Sequence, residues 1–122
     1  MSKTLLVTDD ALIIREQIKD AAVDDGWTIV GEAGNGQEAI DRYDELQPDA
    51  MTLDLVMPEF DGLYALKGIK EIDPDAKILV VSALEQTKVL KDALKLGAHD
   101  FIVKPFKKDN LVGALDNMVD TE

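Results

Sequence analysis

"MTLDLVMPEFDG", residues 51–62, begins as a buried strand and leaves as a turn. Met51, Leu53, Leu55 and Val56 are apolar, and Met57-Pro58 and Asp61-Gly62 punctuate the exit. Asp54 nevertheless stands inside the run. An ionised carboxylate is costly to bury unless a partner compensates it or its pKa moves. The rest of the chain must therefore supply company for Asp54.

Outward from this stretch, apolar runs alternate with segments of helical period. "KTLLVT" (3–8) reads as the first strand, and Ile14, Ile18 and Ala21 mark a helix that Asp25-Gly26 ends. "WTIVGEA" (27–33) is a second strand. Asn35 followed by Glu38 has the form of a capping box, opening a helix with an inner stripe of Ala39, Tyr43 and Leu46 and a stop at Pro48. Strand three runs from about Asp49. Leu63, Leu66, Ile69 and Ile72 form the inner stripe of the next helix, closed by Asp73-Pro74-Asp75. "KILVVSA" (77–83) is strand four, and Val89, Ala93 and Leu96 mark a helix with Gly97 as its C-terminal cap. "DFIVK" (100–104) is strand five, and Leu111, Leu115 and Met118 line the last helix.

Five such repeats predict an α/β domain whose mostly parallel sheet carries helices on both faces. Strands one, three and four are apolar almost throughout, as strands covered on both sides should be. No linker or low-complexity stretch interrupts the 122 residues, so one domain over 1–122, with no output domain, is expected. Cysteine is absent, which excludes disulfides and thiolate metal sites. No apolar stretch approaches the ~20 residues of a membrane span, and "MSKTLLV" lacks a signal-peptide core. A cytoplasmic protein with no membrane association is expected.

The net charge of −12, from 25 acidic and 13 basic residues, argues against direct nucleic-acid binding. It is unevenly spread. Between Gln86 and Lys108 six lysines (88, 91, 95, 104, 107 and 108) face only Asp92 and Asp100, so that window carries +4 and the remainder −16. Lys88, Lys91 and Lys95 fall on one helical stripe.

Ligands of open α/β sheets bind beyond the carboxyl ends of the strands. Asp9-Asp10, Asp54, Ser82 and Lys104 each stand where an apolar run stops, so parallel strands would gather them at one sheet edge. Taken alone, Asp9-Asp10 reads as the N-cap of the following helix. Taken together, the crowded carboxylates call for a cation, and an oxygen-only ligand set selects a hard ion such as Mg²⁺. A metal, a lysine and a hydroxyl are also what an incoming phosphoryl group needs, with one carboxylate as nucleophile.

The motifs "LLVTDD" (5–10), "GNGQEAI" (34–40), "LDLVMPEFDG" (53–62), "VVSA" (80–83) and "LGAHDFIVKPF" (96–106), in this order, resemble the response-regulator receiver family over essentially the whole chain. The resemblance implies a flavodoxin-like (βα)5 three-layer sandwich with strand order 2-1-3-4-5. It implies that Asp54 is the phosphoacceptor and that Mg²⁺ is the cofactor. Asp10 would ligate the ion directly and Asp9 mainly through water, with the Val56 carbonyl as a further ligand. Lys104 would pair with the phosphoryl group, held by a cis Lys104-Pro105 bond; Ser82 would hydrogen-bond it, and Phe101 would be the aromatic switch. Many members carry threonine and tyrosine in place of Ser82 and Phe101. Val56 and Leu84 would flank the path of a hydrolytic water, and this apolar pair implies a long-lived phosphorylated state.

The implied partners are a histidine kinase or phosphotransfer protein as donor and a downstream target, the chain acting as a monomer. The Lys88, Lys91 and Lys95 stripe, with Phe101, is the candidate partner surface. Trp27 is expected in the core and His99 at the surface. Rival functions fit less well. A haloacid-dehalogenase-type phosphatase places Asp-x-Asp after its first strand, whereas Asp9 and Asp10 are adjacent. A flavin binder needs a donor-rich loop where "TDDALI" is acidic. A further alternative is the isolated receiver of a larger DNA-binding regulator.

Overall fold

Alternate residues of the central strands divide between two apolar layers, as the period of two requires. The computed structural model describes residues 3–83 and 87–120. In chain order the elements are β1 Lys3–Thr8, α1 Leu12–Asp24, β2 Trp27–Ala33, α2 Gly36–Leu46, β3 Ala50–Leu53, α3 Gly62–Ile72, β4 Ile78–Ala83, α4 Thr87–Lys95, β5 Asp100–Lys104 and α5 Lys108–Asp120. The strands form one parallel sheet in the order β2-β1-β3-β4-β5. The expected flavodoxin-like fold and its strand order are therefore present.

On one face Leu6, Met51, Leu53, Ile78 and Val80 meet Ala39 and Tyr43 of α2, Leu66 and Ile69 of α3, and Ala93 of α4. On the other, Leu5, Val7, Leu79 and Val81 meet Ile18 and Ala22 of α1 and Leu111, Leu115 and Met118 of α5. Trp27 is buried in this second layer, and its Nε1 donates to Asp116 at 3.3 Å. His99 is exposed.

Local signals placed most element ends. The Asn35 side chain accepts from the Glu38 N–H at 2.9 Å, as the capping box predicts. Its reciprocal half differs: Glu38 Oε1 accepts from the Gly34 N–H at 2.9 Å, one residue before the cap. Gly97 has φ +109, and past it the Ala98 N–H returns to the Ala93 carbonyl, closing α4 as a glycine allows. Ile72, expected on the inner stripe of α3, is instead 41% exposed. It is the last residue of α3, just short of a full turn beyond the buried Ile69, where the helix stops.

Among the described residues, the Thr8 and Thr52 hydroxyls are buried outside the carboxylate cluster without a hydrogen-bond partner. Thr52 lies on β3 between Met51 and Leu53, fully buried, and its hydroxyl has no hydrogen-bond partner among the described residues. A buried unmade hydrogen bond costs ~1–3 kcal/mol. Thr52→Val keeps the branched shape and removes the hydroxyl, so urea unfolding should show a gain of about 1 kcal/mol. A loss of stability would mean that the hydroxyl is bonded.

Candidate functional site

Backbone hydrogen bonds beyond the strand ends hold the acidic residues in place. The Asp9 N–H donates to the Ala33 carbonyl at 3.1 Å, and the Asp54 N–H donates to the Thr8 carbonyl at 3.1 Å. The carboxyl ends of β1 and β3 are thus laid side by side, with Asp54 one residue past β3. Asp9 is 1% exposed and Asp54 5%, whereas Asp10 is exposed. Carboxylate oxygens of Asp9, Asp10 and Asp54 lie within 4.8 Å of one another.

Asp9 and Asp10 do not cap α1. The N-cap position is Ala11, which makes no side-chain cap, and Asp9 Oδ1 instead accepts from the Ala11 N–H at 2.9 Å. The pair is thus not the N-cap of α1, although Asp9 still holds the turn into that helix through the Ala11 N–H.

Lys104, the last residue of β5, reaches across β4 to the acidic group. Its Nζ lies 2.7 Å from Asp9 Oδ2 and 3.5 Å from Asp54 Oδ2. The peptide bond to Pro105 is cis, as expected. One ammonium thus serves two buried carboxylates, and the nearer is Asp9. Asp54 keeps one weak hydrogen bond, from the Val56 N–H to Oδ1 at 3.3 Å. Burial, and next the charge of Asp9, push the Asp54 carboxyl up to about 6; Lys104 and the Val56 N–H pull the other way. Burial is the main cause, and the Lys104 ammonium, shared with Asp9, offsets only part of it.

The donor set suits a hard divalent cation. It consists of carboxylate oxygens, with no sulfur or imidazole, and it has an excess of negative charge. Both Asp9 oxygens are already engaged, by Ala11 and Lys104, while Asp10 faces solvent. Ser82, in register with Val103, is buried, and its hydroxyl has no hydrogen-bond partner among the described residues. An orphaned hydroxyl at the end of β4 fits a site that receives a further acceptor.

Other expected residues lie around this centre. The Val56 side chain is exposed. Phe101 is in register with Val80 and is 37% exposed, turned outward rather than into the core. Lys88, Lys91 and Lys95 are exposed on α4. Leu84 lies outside the described residues.

Two residues that shape the site carry little sequence signal. Arg15 Nη1 donates to the Asp9 carbonyl at 2.7 Å while its Nε pairs with Glu32 at 2.9 Å, tying α1 and β2 to the acidic turn. At Gly62 a Cβ would lie 2.4 Å from the Asp54 carbonyl oxygen and 2.5 Å from Leu55 Cα. The Asp61-Gly62 turn signal pointed to this glycine but not to its closeness to Asp54.

Comparison with known proteins agrees with this geometry. The family model for the response regulator receiver domain matches residues 5–116. The chain is 47% identical over 118 residues to the chemotaxis protein CheY of Thermotoga maritima, covering 97% of this chain and 98% of that protein. It is 46% identical over 116 residues to CheY of Bacillus subtilis, covering 95% and 97%. Among solved structures it is similar to the CheX-CheY-BeF3-Mg²⁺ complex from Borrelia burgdorferi, with TM-score 0.89, 32% identity and coverage of 94% and 87%.

Proposed function

The chain belongs to the response-regulator receiver family, as a CheY-like regulator of two-component signalling of the chemotaxis type, and on that premise we propose that Asp54 is its phosphoacceptor. The observation that carries this reading is the shortfall of positive charge at Asp54, whose nearest ammonium is bound more closely to Asp9. A carboxylate that is buried, shares its ammonium and stands beside the exposed Asp10 is held ready for a cation and an electrophile.

In this reading Asp10, Asp54 and the Val56 carbonyl hold Mg²⁺. Asp9, both of whose oxygens are engaged, acts through water. When bound, the ion would supply positive charge to neutralise the incoming phosphoryl oxygens. An Asp54 oxygen forms the new bond to phosphorus as the bond to the donor's histidine nitrogen breaks. Lys104 pairs with a phosphoryl oxygen, and the Ser82 hydroxyl donates to another, gaining the partner it lacks. Phe101, now exposed, turns inward as Ser82 moves.

The donor is a histidine kinase or a phosphotransfer protein, and the output is binding to a downstream protein. Lys88, Lys91 and Lys95, with Phe101, form the surface proposed for that partner, whose matching patch would be acidic. The apolar Val56 and Leu84 support slow hydrolysis, since neither positions a water by hydrogen bonding. The chain is proposed to act as a monomer in the cytoplasm; among the described residues no helix is long and apolar enough to cross a membrane.

Thermal denaturation with and without Mg²⁺ tests the cation site. A ligand that binds only the folded state at a hundredfold excess over Kd stabilises by ~2.7 kcal/mol. The parent melting temperature should rise with Mg²⁺, and Asp10→Ala should lose most of that rise. An Asp10→Ala variant that keeps the full Mg²⁺ shift would remove Asp10 from the ligand set.

A further inference from the structure

The loop between β3 and α3, residues 54–61, holds an unusual backbone. Glu59 has φ +67, a left-handed value at a non-glycine residue. Around it the Phe60 N–H donates to the Pro58 carbonyl at 2.8 Å, making a three-residue turn of a rare kind. Such a conformation persists only where its surroundings impose it.

The first residues of α2 impose it. The Gly36 N–H, one of the unpaired donors at the positive end of α2, donates to the Phe60 carbonyl at 2.6 Å. A Cβ at Gly36 would lie 2.6 Å from the Asp61 carbonyl oxygen and 2.7 Å from that of Phe60. Glycine is the residue that permits this approach. A second tie lies further out: the Tyr64 hydroxyl donates to Gln37 Oε1 at 2.7 Å, with the Phe60 and Tyr64 rings 4.8 Å apart. Asp61 closes the loop by accepting from the Tyr64 N–H, so its far end is fixed as well.

We propose that Gly36 is a positioning residue for the cation site. By holding the Phe60 carbonyl, it fixes the loop whose Val56 N–H donates to Asp54 Oδ1 at 3.3 Å, and with it the place of the Val56 carbonyl. Cation affinity is then set in part by the N-terminus of α2, which contributes no ligand. The inference rests on the Mg²⁺ reading of Asp10, Asp54 and Val56 above.

Isothermal titration with Mg²⁺ alone, on the whole chain, tests it. Gly36→Ala should weaken Mg²⁺ binding about tenfold, the usual cost of losing a group that orients a ligand. Labelling by acetyl phosphate should recover to the parent rate at saturating Mg²⁺, because Asp54 and Lys104 are untouched. Gly113→Ala is the control, since a Cβ there meets nothing within 4 Å, and it should leave Mg²⁺ affinity unchanged. Tyr64→Phe removes only the outer tie and should weaken binding by about two- to threefold. A folded Gly36→Ala that binds Mg²⁺ as tightly as the parent overturns the inference. If Gly36→Ala does not fold, parent-like affinity in Tyr64→Phe overturns it. A parent that fails to bind Mg²⁺ overturns the site reading instead, which keeps the two failures apart.

Discussion

Asp54→Asn is expected to abolish phosphorylation while making the metal-free protein more stable. Incubated with Mg²⁺ and acetyl phosphate, the parent should gain the mass of one phosphoryl group and the variant none. The amide keeps the shape of the carboxylate and lacks its nucleophilic charge. Labelling of the variant at another residue would refute Asp54 as the acceptor. The stability effect follows from the site's electrostatics. Folding raises the Asp54 carboxyl from 3.8 to about 6, so between these values the folded state binds more protons than the unfolded chain. The stabilising proton is fully present below the lower value and is lost as pH rises through the upper one. Metal-free parent stability should therefore fall from about pH 4 to about pH 6, by on the order of 2–3 kcal/mol. Asn titrates nowhere in this range and escapes that part of the decline. Urea unfolding of both proteins from pH 3.5 to 7.5 without Mg²⁺ reads the difference directly. Equal stabilities at pH 7.5 would mean that Asp54 ionises at no cost.

Lys104→Met is expected to cause the second large change, and it does so through Asp9. Asp9 is almost wholly buried, and Lys104 is its closest counter-charge, at 2.7 Å. Removing one partner of a buried pair costs ~3–5 kcal/mol because the other charge stays behind unpaired. The Lys104 side chain is about a fifth exposed, so solvent screening discounts that range to ~2–4 kcal/mol without metal. Mg²⁺ should restore part of the loss, because the same carboxylates gain a cation. A cycle with Asp9→Asn should show that the two side chains are coupled, since the double variant no longer leaves Asp9 as a buried charge without its ammonium and keeps only the Asp54 part of the loss. Additive losses in that cycle would mean that Lys104 stabilises the fold by its packing alone.

Much of this protein is legible along the chain because the signals are local. The alternation around Met51 and Leu53, the Asn35 cap and Gly97 each act within a few residues, so the elements fall where the pattern places them. The residues at the strand ends were legible too, since a parallel sheet brings every such end to one edge. Local pattern does not determine which strands are neighbours; order 2-1-3-4-5 came from family resemblance and is met in the sheet. Nor does it decide how charge is shared within the site. Asp9 and Asp10 are adjacent and chemically alike, yet one is buried and bonded to Lys104, 95 residues away, and the other is exposed. That division depends on how β1 and β5 lie across the sheet. Arg15 beneath the Asp9 carbonyl and Gly36 against the Phe60 carbonyl have the same origin. Each contact joins elements far apart in sequence, and its energy depends on distances of a few ångströms that no run of neighbouring residues encodes.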